Sequence, residues 1–231
     1  MPRYSHIFFD LDRTLWDFNA NSYETLKEIF AGHSLENIIN TSFEDFYRSF
    51  LVHNDKLWND YRSGKIIKST IRFKRFYLAL KDFGIVSNKI AKTISEDYVI
   101  LSPKKIILFP DTVEVLNYLK KQYSLNIITN GFKDVQLAKL NNSHLSGYFD
   151  KVIISEVVGA HKPDSKIFKK ALILAKAKKS TSIMIGDDLK VDILGAKDFG
   201  IDQIFFNPLK IKHDVVVNYE ISSLKELLGI F

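Results

Sequence analysis

Acidic, hydroxyl-bearing and basic side chains recur at the ends of short apolar runs in this chain. Asp10 and Asp12 close the run that begins at His6, and Thr14 stands just beyond. Thr129, Asn130 and Gly131 close a second run, and Lys162 follows a third. Gly186, Asp187 and Asp188 close a fourth, with Asp192 one helical turn further on. Any one of these residues is an ordinary cap or turn former. As a set on successive runs they point to one rim, and to phosphoryl transfer. Clustered carboxylates repel one another, and one or two carboxylates with waters and a substrate phosphate are the usual surroundings of Mg2+. Such an ion neutralises carboxylate and phosphate together, so that an anionic nucleophile approaches an anionic ester. An aspartate then accepts the phosphoryl group. A second acid protonates the departing alkoxide and activates water, while a lysine and backbone N–H groups offset the remaining charge.

The elements that must position these groups are legible in the same runs. HIFFD (6–10), LNIITNG (125–131), KVIISE (151–156), SIMIGDD (182–188) and QIFFN (203–207) are rich in Ile, Val and Phe with little alternation, as strands covered on both faces are. Helices are predicted over 111–122, over 165–179 with Asp164 as N-cap, and over 189–200 ending on Gly200. Strand and helix in alternation predict an α/β fold, a doubly wound parallel sheet with right-handed crossovers. Ligands in such a sheet collect at the carboxyl ends of the strands, where strand order reverses.

Between the first strand and the next strand-and-helix unit the rhythm breaks. Phe43, Phe46, Tyr47 and Phe50, then Ile71, Phe73, Phe76, Tyr77 and Leu80, recur at helical spacing. The expected organisation is a core formed by 1–15 plus 106–231 and an inserted helical domain over 16–105, with hinges near 16–20 and 102–110.

Composition narrows the class. A chain of 231 residues with 46% hydrophobic and 26% charged residues is ordinary for a globular protein. No run of 18 apolar residues suggests a membrane span, and the N-terminus enters a strand-like run without a signal peptide's apolar region. The absence of cysteine excludes disulfides and thiolate ligands and suits a reducing cytoplasm, which is the expected location. The net charge of +6 reads as a solvated lysine face around 169–179 and as attraction for small anions, rather than as a site for nucleic-acid polymers.

DLDRT (10–14), ITNG (128–131), the lysine of HKP (161–163) and GDDLKVD (186–192) resemble, in order, the four motifs of the haloacid dehalogenase superfamily, whose mobile cap sits where 16–105 sits here. The resemblance implies roles residue by residue. Asp10 is the nucleophile and an Mg2+ ligand. Asp12 is the general acid and base, its backbone carbonyl also on the metal, and Thr14 orients Asp12. Thr129 binds the transferring phosphate with the backbone of Asn130 and Gly131. Lys162 pairs with phosphate and Asp10, Asp187 completes the metal ligands, and Asp192 acts beside the metal or through water. Arg13 and Asp188 depart from the pattern, which commonly has glycine at the first position and Ser or Thr at the second. Dehalogenases of the superfamily need no metal and keep no Asp at the position of Asp12, so the motifs favour a phosphatase. A sugar phosphomutase, a 2-haloacid dehalogenase and a non-catalytic binding protein are the alternatives. HNDKLWNDYRSGKI (53–66), DRTLWDF (12–18) and ISEVVGAHKP (154–163) are similar to the pyrimidine 5'-nucleotidase branch. That branch implies a nucleoside monophosphate as the small phosphate ester, with Trp16 and Trp58 as stacking candidates, in a monomer or homodimer.

Overall fold

The apolar runs become strands of one sheet. In the computed structural model, which describes residues 3–231, six parallel strands stand in the order β3-β2-β1-β4-β5-β6. They are β1 (His6–Phe9), β2 (Ser124–Thr129), β3 (Lys151–Ile154), β4 (Ser182–Gly186), β5 (Asp202–Phe206) and β6 (Tyr219–Ile221). Strand order proceeds outward in both directions from the β1–β4 pair, where Phe9 is in register with Ile185. That pair is therefore the switch point of the winding, and its carboxyl end is where a doubly wound sheet opens for a ligand.

Both faces of the sheet are covered, which explains the missing alternation. Ile7, Phe9, Ile127, Ile185 and Phe206 pack on one side with Val115, Leu116 and Leu119. Phe8, Ile128, Ile153 and Met184 pack on the other with Ile167, Phe168 and Ala171. Between β1 and β2 lie α1 (Phe18–Gly32), α2 (Leu35–Ile39), α3 (Phe43–Arg62), α4 (Lys68–Lys81), α5 (Asn88–Leu101) and α6 (Thr112–Leu119). After β2 come α7 (Lys133–Asn142), α8 (Ser155–Val158), α9 (Ser165–Ala175) and α10 (Gly195–Phe199). Asp164 caps α9 by accepting from Lys166 N at 2.9 Å, and Lys176 ends it in a left-handed conformation, short of the predicted 179. The helix predicted over 189–200 opens as a wide π turn, Leu189–Leu194, before α10, and Gly200 stops it at φ +90°.

The chain divides into two compact units, Met1–Phe18 with Ile106–Phe231, and Asn19–Lys105. The second has its own core of Leu26, Ile29, Phe46, Phe50, Phe76 and Tyr98. Within it Arg75 is buried, its guanidinium 4.9 Å from the ring centroid of Phe76 and 4.7 Å from that of Tyr98, and it donates to Asn54 Oδ1 at 3.0 Å. Burial lowers the Arg75 pKa to about 10. Among the described residues no helix is long and apolar enough to cross a membrane.

Candidate active site

Asp10 leaves β1 at the switch point, its backbone N–H donating to Ile185 O of β4 at 2.9 Å. The chain then turns tightly: Leu15 and Trp16 N–H groups both return to Leu11 O, and Arg13 takes a left-handed φ of +65°. A positive φ is the reason glycine suits that position. Arg13 accepts the conformation and lays its guanidinium 4.8 Å from the Phe18 ring centroid.

Lys162 is fully buried and reaches across to this turn. Its ammonium donates to Asp10 Oδ1 at 2.5 Å and to Ile128 O at 2.7 Å, and pairs with Asp192 Oδ1 at 2.6 Å. Asn130 fixes the segment that carries it. Its side chain accepts from Lys162 N at 2.8 Å and donates to Lys162 O at 3.0 Å, so Asn130 serves as a clamp on Lys162 through its amide. Asp192 also accepts from Asp188 N at 3.2 Å. It needs the glycine at 186, because a Cβ there would lie 2.6 Å from Asp192 Cβ. Asp188 is itself an N-cap, its Oδ1 accepting from Lys190 N and Val191 N, which accounts for an Asp where a Ser or Thr is common.

Carboxylate oxygens of Asp10, Asp187 and Asp192 all lie within 4.8 Å of one another. Lys162 touches two of the three and Arg13 attracts the third, Asp187, so the three carboxylates outnumber the cations that answer them. Burial, with repulsion between the carboxylates, pushes the Asp10 pKa up to about 7 and raises those of Asp187 and Asp192. An all-oxygen donor set with that excess of negative charge fits a hard divalent cation.

The Asp12 carboxylate points elsewhere. Its Oδ1 accepts from Lys139 Nζ and its Oδ2 from Gln136 Nε2 at 2.8 Å. Gln136 Nε2 donates also to Thr129 Oγ1 at 2.6 Å, and Gly131 N donates to the same oxygen at 3.1 Å. Thr129 is thus an acceptor in both contacts, and its own hydroxyl proton is left for a further acceptor. Gly131 makes room for Gln136, since a Cβ would sit 2.7 Å from Gln136 Cγ. Gln136 and Lys139 were not expected from the sequence.

Two of the expected residues stand in unexpected surroundings. The tight turn buries Thr14 completely and its hydroxyl donates to Asp187 Oδ1 at 3.2 Å. Trp16 is no stacking face. It is fully buried in the sheet's core, with Lys139 Nζ 3.8 Å from its ring centroid. Trp58 lies in the other unit, half-buried on α3, with its ring edge-on to Tyr61 at 5.7 Å.

Fold and site together define a doubly wound α/β protein with a buried acidic cluster at the switch point of its sheet. The sequence matches the haloacid dehalogenase-like hydrolase family over residues 4–200, and the chain belongs to that family. Among its relatives is pyrimidine 5'-nucleotidase YjjG of Escherichia coli, 31% identical over 97% of this chain and 96% of that protein. Glyceraldehyde 3-phosphate phosphatase of Pyrococcus furiosus is 30% identical over 100% of this chain and 94% of its own length. The crystal structure of the putative hydrolase YfnB from Bacillus subtilis, bound to magnesium, is similar with a TM-score of 0.90 and 26% identity over 99% of both chains.

Proposed function

We propose that this chain is a magnesium-dependent phosphomonoesterase that passes the phosphoryl group through Asp10, with a nucleoside 5'-monophosphate as its substrate. The observation that carries the reading is the buried Asp10–Lys162 pair set against Asp187 and Asp192, with Asp12 two residues away. Asp10, Asp187 and Asp192 would hold the Mg2+, which when bound neutralises the carboxylates and the substrate phosphate. Lys162 fixes one oxygen of Asp10 and adds positive charge where phosphate charge gathers. Thr129 donates its free proton to a phosphate oxygen. A carboxylate oxygen of Asp10 forms a bond to phosphorus as the ester P–O bond breaks, and the electron pair stays on the ester oxygen, which takes the proton of Asp12. Asp12, now a carboxylate, accepts a proton from water as the water oxygen attacks phosphorus and the bond to Asp10 breaks. Alcohol and inorganic phosphate leave, and Asp10 and Asp12 are restored.

Asp12 favours ester hydrolysis over dehalogenation, because halide departs without a proton. The nucleotide assignment is supported by YjjG and by the motifs around 53–66. Phosphate release from p-nitrophenyl phosphate, uridine and thymidine monophosphates, glyceraldehyde 3-phosphate and hexose phosphates tests both levels. Mg2+-dependent release is expected, lowered at least about a thousandfold in Asp10→Asn, with the highest kcat/KM on the nucleotides. A sugar or triose phosphate that outranks every nucleotide sinks the substrate assignment, and Mg2+-independent turnover sinks the mechanism.

A further inference from the structure

Lys139 and Gln136 stand three residues apart on α7 and are both buried. Together they take both oxygens of one carboxylate, that of Asp12, and Gln136 ties it on to Thr129. A lysine ammonium enclosed to this degree, with the side chain 5% exposed, is costly unless it is paired. Lys139 pairs with the half-open carboxylate of Asp12 at the rim, 29% exposed. The buried ring of Trp16 lies against the same ammonium, so a cation–π contact confines the lysine as well. The Gly131 position leaves Gln136 the space it occupies.

From this arrangement we infer that Lys139 and Gln136 are positioning residues for the general acid. They hold the Asp12 carboxyl group in register with Thr129, so that its proton meets the ester oxygen as the P–O bond breaks, and Trp16 sets the place of Lys139. The inference rests on the phosphatase reading above, in which Asp12 is that acid. It differs from a merely structural ion pair in one measurable respect. Positioning of the acid matters where the leaving oxygen needs a proton, as an alkoxide does, and hardly matters where it needs none, as with nitrophenoxide.

The test compares kcat/KM, which reports the step that expels the leaving group, on uridine 5'-monophosphate and on p-nitrophenyl phosphate, with Mg2+ present. Lys139→Met is expected to lose about a hundredfold on the alkyl ester and less than about tenfold on the aryl ester, the range that general acid catalysis spans. Lys139→Arg, which keeps the cation, is expected to recover part of the alkyl-ester loss. Gln136→Met is expected to show the same selectivity at smaller size, and it carries the comparison if Lys139→Met does not melt cooperatively. Equal losses on the two esters, or no loss on the alkyl ester, overturn the inference while leaving the phosphatase reading intact. Wild-type protein that turns over neither ester, or an Asp10→Asn variant as active as wild type, overturns that reading and this inference with it.

Discussion

The three carboxylates at the switch point are held together against their own repulsion, and Lys162 answers only two of them. Removing one negative charge should therefore relieve the metal-free protein. Asp187→Asn keeps an oxygen for the Thr14 hydroxyl and is expected to raise the melting temperature without metal, at about 2–4 °C per kcal/mol for a chain of this size. The same variant should lose the shift that Mg2+ gives the wild type, about 2.7 kcal/mol at a hundredfold excess over Kd, or roughly 5–10 °C. An unchanged Mg2+ shift would take Asp187 out of the metal site. Thr14 tests the neighbouring contact. If its hydroxyl orients Asp187, Thr14→Val weakens Mg2+ about 10- to 100-fold, as read from the metal dependence of the melting temperature, whereas an effect confined to turnover returns Thr14 to Asp12. At this scale Asp10, Thr129 and Asp187 were legible because each closes an apolar run, where a side chain faces the rim, and Lys162 and Asp192 because each follows such a run in a motif. Lys139 and Gln136 were not, because nothing in their spacing tells a buried Lys or Gln from a surface one. Trp16 misled for the converse reason: an aromatic beside a motif reads as a ligand surface until its burial is known.

The elements that carry these residues are marked unevenly in the sequence, for a physical cause. β1, β2, β3, β4 and β5 announced themselves as continuous apolar runs because both faces of the sheet are covered. α7 left no apolar period, since the face it buries presents Gln136 and Lys139 beside Leu140. β6 is three residues long at the sheet's edge, too short to stand out from its surroundings. The π turn over Leu189–Leu194 follows β4 directly and brings Asp192 back onto Gly186, a folding-back that a helical wheel does not foresee. Gly186→Ala tests that contact. The added Cβ meets Asp192 Cβ at 2.6 Å, and overpacking of this kind costs about 1–3 kcal/mol. Calorimetry should show that loss, together with a fall in turnover as Asp192 withdraws from Lys162. Wild-type melting and turnover in Gly186→Ala would mean that the turn yields without moving Asp192.

For the molecule as a whole, two units with separate cores divide the labour in the proposed reading: chemistry in the sheet unit, substrate preference in the helical one. The helical character of the insertion was legible from its aromatic period. Its contribution to recognition is not written in that period, because the same spacing serves internal packing, as Phe46, Phe50 and Phe76 show. Trp58→Ala separates the two uses: it is expected to lower kcat/KM for nucleotides about tenfold more than for p-nitrophenyl phosphate, the loss of one stacked base. Equal losses assign Trp58 to its packing with Tyr61. The chemistry itself is tested most directly by rapid acid quench of the enzyme during turnover of a phosphate ester carrying radiolabelled phosphorus, followed by peptide mapping. A hydroxylamine-labile phosphoryl group on Asp10, formed before phosphate is released and absent from Asp10→Asn, is the expected result. Phosphate released with no label on Asp10 at any time before the steady state would contradict it.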